Sequence, residues 1–120
     1  MSQSYPELID DLNAAIARLR AGAPGTMKAF SGLAREALVP GQLDVQTKEL
    51  IAIAIAIATR CDGCIGFHAK AAIRAGASRE EVLETISMAI YMGAGPSMIY
   101  AAETLRAFDE FAEAAAPTAE

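Results

Sequence analysis

Apolar residues recur every three or four positions in two segments near the start of the chain. The first segment, residues 6–20, carries Leu8, Leu12, Ile16 and Leu19. The second carries Met27, Phe30, Leu33, Ala34 and Ala37 or Leu38, and it stops at the turn Val39-Pro40-Gly41. Because this spacing returns to one face of a helix, the pattern predicts two amphipathic helices.

Residues 44–60 form the ambiguous part of the pattern. The run Ile51-Ala52-Ile53-Ala54-Ile55-Ala56-Ile57-Ala58 alternates large and small residues, as a strand might. Both sides of the alternation are apolar, however, and the segment opens with the polar run Asp44-Val45-Gln46-Thr47-Lys48-Glu49. Its length and alanine content favour a helix that is buried on nearly all sides.

Two further helices are marked by their end signals. One begins at Cys61 or Asp62 and ends at Gly76, which suits a left-handed C-cap. The next begins after Ser78, because a glutamate three residues later, Glu81, completes a capping box. This helix is expected to end before residue 93.

The last predicted helix opens at Pro96, a favourable residue for a first turn. The residues expected to face the core are Met98 or Ile99, Ala102, Leu105, Phe108 and Phe111. Residues 115–120 are expected to form a frayed tail. The six helical patterns, with no repeat and no long linker between them, predict one all-α domain over residues 1–120.

The composition indicates more apolar surface than one small domain can bury. Apolar residues make up 53% of the 120 residues and charged residues only 21%. We therefore expect a homo-oligomer. An apolar cluster around the run Gly93-Ala94-Gly95 is interpreted as core or subunit interface, not as a cofactor pocket; its members are Met88, Tyr91, Met92, Met98 and Tyr100. No glycine-rich phosphate loop follows a strand, so no haem, flavin or nucleotide cofactor is expected.

The charge pattern narrows the class of partner. The formal net charge is −5, and the arginines and lysines are scattered, so nucleic acid is not an expected partner. Residues 1–11 are polar and acidic, unlike a secretory signal. The longest apolar run, residues 50–58, is far shorter than the roughly 20 residues that span a bilayer. These features predict a cytoplasmic protein without a membrane partner.

The candidate chemistry is concentrated in eight positions. Cys61, Cys64 and His68 include both cysteines and the sole histidine of the chain. On a helix they share one face, so His68 could take a proton from the thiol of Cys64. Placement near the positive end of the helix dipole favours Cys61 as the attacking thiolate instead. The residues alone leave the attacking and resolving roles open.

Glu49 lies at the entrance of the Ile/Ala-rich helix, 12 residues before Cys61. From spacing alone, the simpler interpretation is a solvated glutamate in the first turn, favoured by the helix dipole. Glu49 could orient His68 only if its helix runs antiparallel or oblique to the next one.

The pattern Glu49-x11-Cys61-x2-Cys64-x3-His68, with the segment Arg74-Ala75-Gly76-Ala77, resembles the alkylhydroperoxidase D-like proteins of the carboxymuconolactone decarboxylase superfamily. The resemblance covers residues 40–108. It implies a compact all-α domain, trimeric or hexameric assembly, and reduction of hydroperoxides by a cysteine pair that an external dithiol or thiol protein recycles. Cys64 would then be the peroxidatic cysteine and Cys61 the resolving one, with Glu49 and His68 as a proton relay.

Three alternatives follow from the same residues. The decarboxylase branch shares the helical fold but does not depend on a cysteine pair, which argues against a lyase. Two thiolates, an imidazole and a carboxylate are suitable zinc ligands, although their crowding on one helix is unlike a structural finger. The thiols could also sense oxidation without catalysing turnover.

Overall fold

The computed structural model describes residues 3–115 as five helices. They are α1 (Tyr5–Gly22), α2 (Pro24–Leu38), α3 (Val45–Ala58), α4 (Asp62–Arg74) and α5 (Arg79–Ala115). No strand occurs in this part of the chain, so the predicted all-α class is confirmed. Of the expected frayed tail, Ala115 is helical and residues 116–120 lie outside the described range.

The Ile/Ala-rich segment is a helix, as its composition predicts. The Oδ1 of Asp44 accepts a hydrogen bond from the backbone N–H of Thr47 at 2.8 Å, which caps the start of α3. Ile53 and Ile57 are fully buried, but Ile51 and Ile55 are exposed. The expectation of burial on nearly all sides is therefore wrong for the single chain, because helices of the same chain cover only part of α3.

Helices α3, α4 and α5 pack against one another, and α1 lies across α4 and α5. One core cluster is centred on Ile53, Ile57, Val82, Ile86 and Phe108. A second joins α1 to α4 and α5 through Tyr5, Ile9, Ile65 and Phe111. Helix α1 can lie this close to α4 only because Gly66, a residue of α4 that faces it, has no side chain. A Cβ at Gly66 would stand 2.6 Å from the Cδ1 of Ile9.

Helix α5 contains a break that the sequence marks with Gly93, Gly95 and Pro96. Ala94 has φ 56° and ψ −142°, which is not helical, and residues on both sides remain helical. The break separates two helical segments where the sequence predicts one helix to end and another to begin. Because no loop opens between them, the six predicted helices are described as five elements.

The core-facing side of the last helical segment differs from the prediction. Met98, Ile99 and Ala102 are exposed, whereas the buried residues include Ser97, Ala101, Thr104 and Ala107. Phe108 and Phe111 are buried as expected. The beginning of the segment packs through small side chains that allow close approach. The prediction places the larger apolar residues toward the core, and so it chooses the wrong face of the helix.

Helix α2 stands apart from this core. It contains no buried residue, and its main contacts are with α1. In the range that the structure describes, no helix has the length and apolar character needed to cross a membrane.

Candidate active site

The two cysteines lie at the junction of α3 and α4, where they form a disulfide bond with a Cα–Cα distance of 5.2 Å. Cys61 is the N-cap of α4, and its Sγ accepts a hydrogen bond from the backbone N–H of Cys64 at 3.2 Å. Both sulfurs therefore lie at the N-terminal end of a helix, where the dipole stabilises negative charge.

A tight backbone motif sets the direction of α4. The N–H of Arg60 donates to the carbonyl of Ile57 at 3.2 Å, and the N–H of Cys61 donates to the carbonyl of Ala56 at 3.1 Å. Arg60 has φ 56°, so these bonds form a Schellman motif with Arg60 in the left-handed position. The chain reverses within a few residues, which brings the beginning of α3 alongside the middle of α4.

This reversal joins Glu49 to His68. The Nδ1 of His68 and the Oε1 of Glu49 are 2.7 Å apart. The residue Glu49 is only 5% exposed, so the interpretation of a solvated first-turn glutamate is wrong. The side chain of His68 is 35% exposed. With the Nδ1–H donating to the carboxylate, the Nε2 of a neutral His68 is left as a proton acceptor.

Cys64 and His68 line the same groove, together with Ala52, Ile55 and Thr59. The groove has a volume of about 240 Å³. A neighbouring cavity of about 340 Å³ shares Ala52, Ile55 and His68 with it and extends to α2. The walls are mostly aliphatic, so the path to His68 and Cys64 suits a substrate with an apolar portion.

Lys48 lines the neighbouring cavity, on the side of α2. Its Nζ donates to the carbonyl oxygens of Ala37 at 2.9 Å and Val39 at 2.6 Å, which ties the end of α2 to α3. Sequence reasoning missed this contact. The acceptors are backbone groups near the end of another helix, and the only signal was a lysine beside Glu49.

The structure thus brings together all four predicted site residues, Glu49, Cys61, Cys64 and His68. The methionine and tyrosine cluster is interpreted from the sequence as core or subunit interface. Met88, Tyr91, Met92 and Met98 are exposed, which excludes a core position for them within the single chain, whereas Tyr100 is partly buried and packs against the core. In the described part of the chain, no group of three or more histidine, cysteine, aspartate or glutamate residues is arranged to hold a metal ion.

Solved structures share this architecture. A carboxymuconolactone decarboxylase family protein from Legionella pneumophila superposes with a TM-score of 0.87 at 50% identity, over 89% of this chain and 96% of that chain. A family member from Thermotoga maritima, for which a part in an antioxidative response has been suggested, superposes with a TM-score of 0.69 at 31% identity, over 74% and 92%.

Curated relatives give the same picture. An uncharacterised protein of Cupriavidus necator is 38% identical over 109 residues, which cover 91% of this chain and 96% of the relative. A protein of the cox locus of Paracoccus denitrificans is 42% identical over 82 residues, 68% of this chain and 74% of the relative. The sequence profile of the carboxymuconolactone decarboxylase family matches residues 24–107. The chain therefore belongs to the carboxymuconolactone decarboxylase family.

Proposed function

We propose that this protein is a thiol-dependent peroxidase that reduces hydroperoxides through Cys61 and Cys64. One observation carries the proposal: the two cysteines form a disulfide at a helix N-terminus, and one of them, Cys64, shares a groove with a histidine that is hydrogen-bonded to the buried Glu49. A purely structural disulfide would need neither the histidine nor the buried carboxylate.

The proton relay begins at Glu49. Its carboxylate holds the Nδ1–H of His68 and stabilises the imidazolium that forms when Nε2 takes the proton of the Cys64 thiol. The resulting thiolate is further stabilised by the N-terminal end of α4. Cys64 is therefore assigned the peroxidatic role, because Cys64 lines the groove together with His68 and Cys61 does not line it.

The reaction proceeds in three balanced steps. The Cys64 thiolate attacks one peroxide oxygen, the O–O bond breaks, and the alkoxide leaves with the proton from His68, giving an alcohol and a sulfenic acid. The thiol of Cys61 then attacks the sulfenic sulfur, and water leaves as the disulfide forms. An external dithiol reduces this disulfide and becomes a disulfide itself.

The decisive experiment measures peroxide consumption in the presence of a dithiol, and sulfenic acid formation by trapping. Cys64→Ser is expected to abolish the first oxidation. Cys61→Ser is expected to retain one stoichiometric oxidation but to lose turnover. Equal residual activity in both variants contradicts the proposal. A single oxidation of the parent protein without repeated cycles identifies a sensor, and stoichiometric zinc bound through both thiols identifies a metal site.

We also propose that the protein assembles as a homotrimer or homohexamer. Large apolar side chains of α2, α3 and α5 are exposed in the single chain; they include Phe30, Leu33, Ile51, Ile55, Met88 and Met92. Exposed apolar surface of this extent is typical of an interface between subunits. Light scattering of the purified protein tests this, and a monomer at micromolar concentration contradicts it.

A further inference from the structure

Two helices of this protein end in the same backbone motif, and only one of them uses glycine. At the end of α4, the N–H of Gly76 donates to the carbonyl of Ile73 at 3.0 Å, and that of Ala77 donates to Ala72 at 2.9 Å. Gly76 has φ 84°. This is the same Schellman motif as at the end of α3, with Gly76 in the position that Arg60 occupies there.

Arg60 is the less favourable residue for this backbone position. Its φ of 56° lies in the left-handed region, which glycine and, less often, asparagine adopt readily. Non-glycine residues held in this region tend to cluster at functional sites. The contrast with Gly76 suggests that the side chain of Arg60 has a role of its own.

The surroundings of Arg60 indicate what that role is. Arg60 is exposed and directly precedes Cys61, and in the described part of the chain it forms no ion pair. The protein as a whole carries a net charge of −5, which repels anions. Asp62 adds a negative charge on the other side of Cys61. Arg60 is thus an exposed cation next to Cys61 in the chain, in a protein whose net charge is negative.

The two sulfurs have different neighbours. Cys64 shares its groove with His68, whereas Cys61 is the N-cap residue that follows Arg60. Attack on Cys61 makes Cys64 the leaving thiolate, beside the imidazole that can return a proton to it. Attack on Cys64 would instead release Cys61, which lies at the other end of the first helical turn.

We propose that Arg60 is the docking residue for the reductant, and that this reductant is a dithiol carrying negative charge beside its thiols. The proposal rests on the proposed redox cycle of the cysteine pair. His68 takes the proton of the first thiol of the dithiol, and the resulting thiolate attacks the Sγ of Cys61. The bond to Cys64 breaks, and the Cys64 thiolate takes that proton from His68. The second thiol displaces Cys61 from the mixed disulfide, which leaves two reduced cysteines and an oxidised dithiol.

The test uses oxidised protein without peroxide, in a single turnover followed by the appearance of protein thiols. Two probes are compared: dithiothreitol, which is neutral, and 2,3-dimercaptosuccinate, which carries two carboxylates. The variants are Arg60→Gln, Arg60→Gly and Arg60→Lys. The control is Arg74→Gln, which removes the same charge from the other end of α4.

Arg60→Gln and Arg60→Gly are expected to slow reduction by dimercaptosuccinate about five- to tenfold and reduction by dithiothreitol less than about twofold. Arg60→Lys stays within about twofold of the parent with both probes, and Arg74→Gln changes neither rate by more than that. The difference between probes disappears in about 1 M salt. Arg60→Gly also melts no lower than the parent, since glycine suits the backbone.

Unchanged rates in Arg60→Gln overturn the proposal. So does equal slowing with both probes, which would indicate a disturbed helix start, and so does a Lys variant as slow as the Gln variant. Because peroxide is absent, the outcome is separate from the peroxidase assay. If reduction depends on Arg60 but the protein does not turn over peroxide, the docking site is supported and the peroxidase function is contradicted.

Discussion

Helices α2 and α4 have similar sequence patterns but opposite environments. Both are amphipathic, and each presents a face of apolar residues. On α4 that face is buried, with Ile65 at 0% exposure. On α2 no residue is buried, and Phe30 and Leu33 are 63% and 64% exposed. An apolar face therefore shows that a helix needs a partner, without showing whether that partner lies in the same chain.

The difference also bears on the position of the proposed active site. Helix α4 is held by α1, α3 and α5, so the side chains of Cys64 and His68 start from a rigid backbone. Helix α2 borders the groove to His68 and is tied to α3 through the two hydrogen bonds of Lys48. The proposed site thus lies on α4, which three helices hold in place, and α2, which has fewer contacts, forms its outer wall.

The largest effect is expected at the fixed helix. His68→Gln removes the proton acceptor, and Glu49→Gln removes the charge that orients it; each should lower the rate of the first oxidation about 10²- to 10⁴-fold. The measurement is the pre-steady-state oxidation of the thiol by excess hydroperoxide. Glu84→Gln, at an exposed carboxylate on α5, serves as the control. If Glu49→Gln oxidises as fast as the parent, the relay is contradicted.

Matched truncations compare the two helices directly. Ile65→Ala opens a cavity in the core of α4 and should lower the free energy of unfolding by about 2–5 kcal/mol. Leu33→Ala, on exposed α2, should change it by no more than about 0.5 kcal/mol when association is prevented by dilution. Urea unfolding measures both.

A charged variant separates folding from assembly on α2. Leu33→Asp is expected to keep the helical circular dichroism spectrum and to lower the mass found by light scattering, because α2 would lose an apolar contact with another subunit. A parent-like mass for Leu33→Asp, or a loss of stability equal to that of Ile65→Ala, contradicts the assigned roles of the two helices.

The ionisation of Tyr5 tests whether α1 packs closely on α4. Burial, followed by the nearby carboxylates of Glu103 and Asp62, raises the pKa of Tyr5 to about 12. An unfolded tyrosine ionises near pH 10, so the unfolded state gains stability between about pH 10 and 12 while the folded state still holds its proton. The free energy of unfolding should fall by up to about 2 kcal/mol in this window.

Tyr5→Phe should remove most of this alkaline loss. Tyr91→Phe, at an exposed tyrosine, is the matched control and should leave the slope unchanged. Urea unfolding at pH 8, 10 and 11.5 measures the difference. An identical slope for Tyr5→Phe and the parent means that α1 is not closely packed on α4 in solution.

The smallest effect is expected at an exposed contact on α5. The Nε of Arg79 donates to the Oδ1 of Asp109 at 2.9 Å, and this hydrogen bond lowers the pKa of the Asp109 carboxyl. A lowered pKa gives stability that is present above the unfolded pKa, near pH 4, and is lost as the pH falls through the folded value. Since both side chains are about half exposed and solvent screens the pair, Arg79→Gln should lower the free energy of unfolding only slightly at pH 7 and not at all near pH 2. A loss as large as that of Ile65→Ala contradicts this ranking.

Much of the fold could be predicted from local signals. The capping box at Ser78 is present, with the N–H of Glu81 donating to the Ser78 Oγ at 3.1 Å and the N–H of Ser78 donating to the Glu81 carboxylate at 2.8 Å. Gly76 has the expected left-handed backbone. These features depend on residues within a few positions of one another, so the sequence is sufficient to identify them.

Predictions of buried faces were less accurate. Large apolar residues suggested that Met98 and Ile99 face the core, but Ala101, Thr104 and Ala107 do. Close packing selects small residues on this face. That packing depends on neighbouring helices, which periodicity does not describe.

For the site itself, the sequence by itself determined the residue types and the placement of Cys61, Cys64 and His68 on one helix, since their spacing of three and four residues is a local property. It could not bring Glu49 to His68, because the 2.7 Å contact depends on the angle at which α4 leaves α3. The left-handed turn at Arg60 and the packing of α1 and α5 set that angle. The tertiary structure alone decided that Glu49 is buried rather than solvated, because burial requires surfaces that are distant in the sequence.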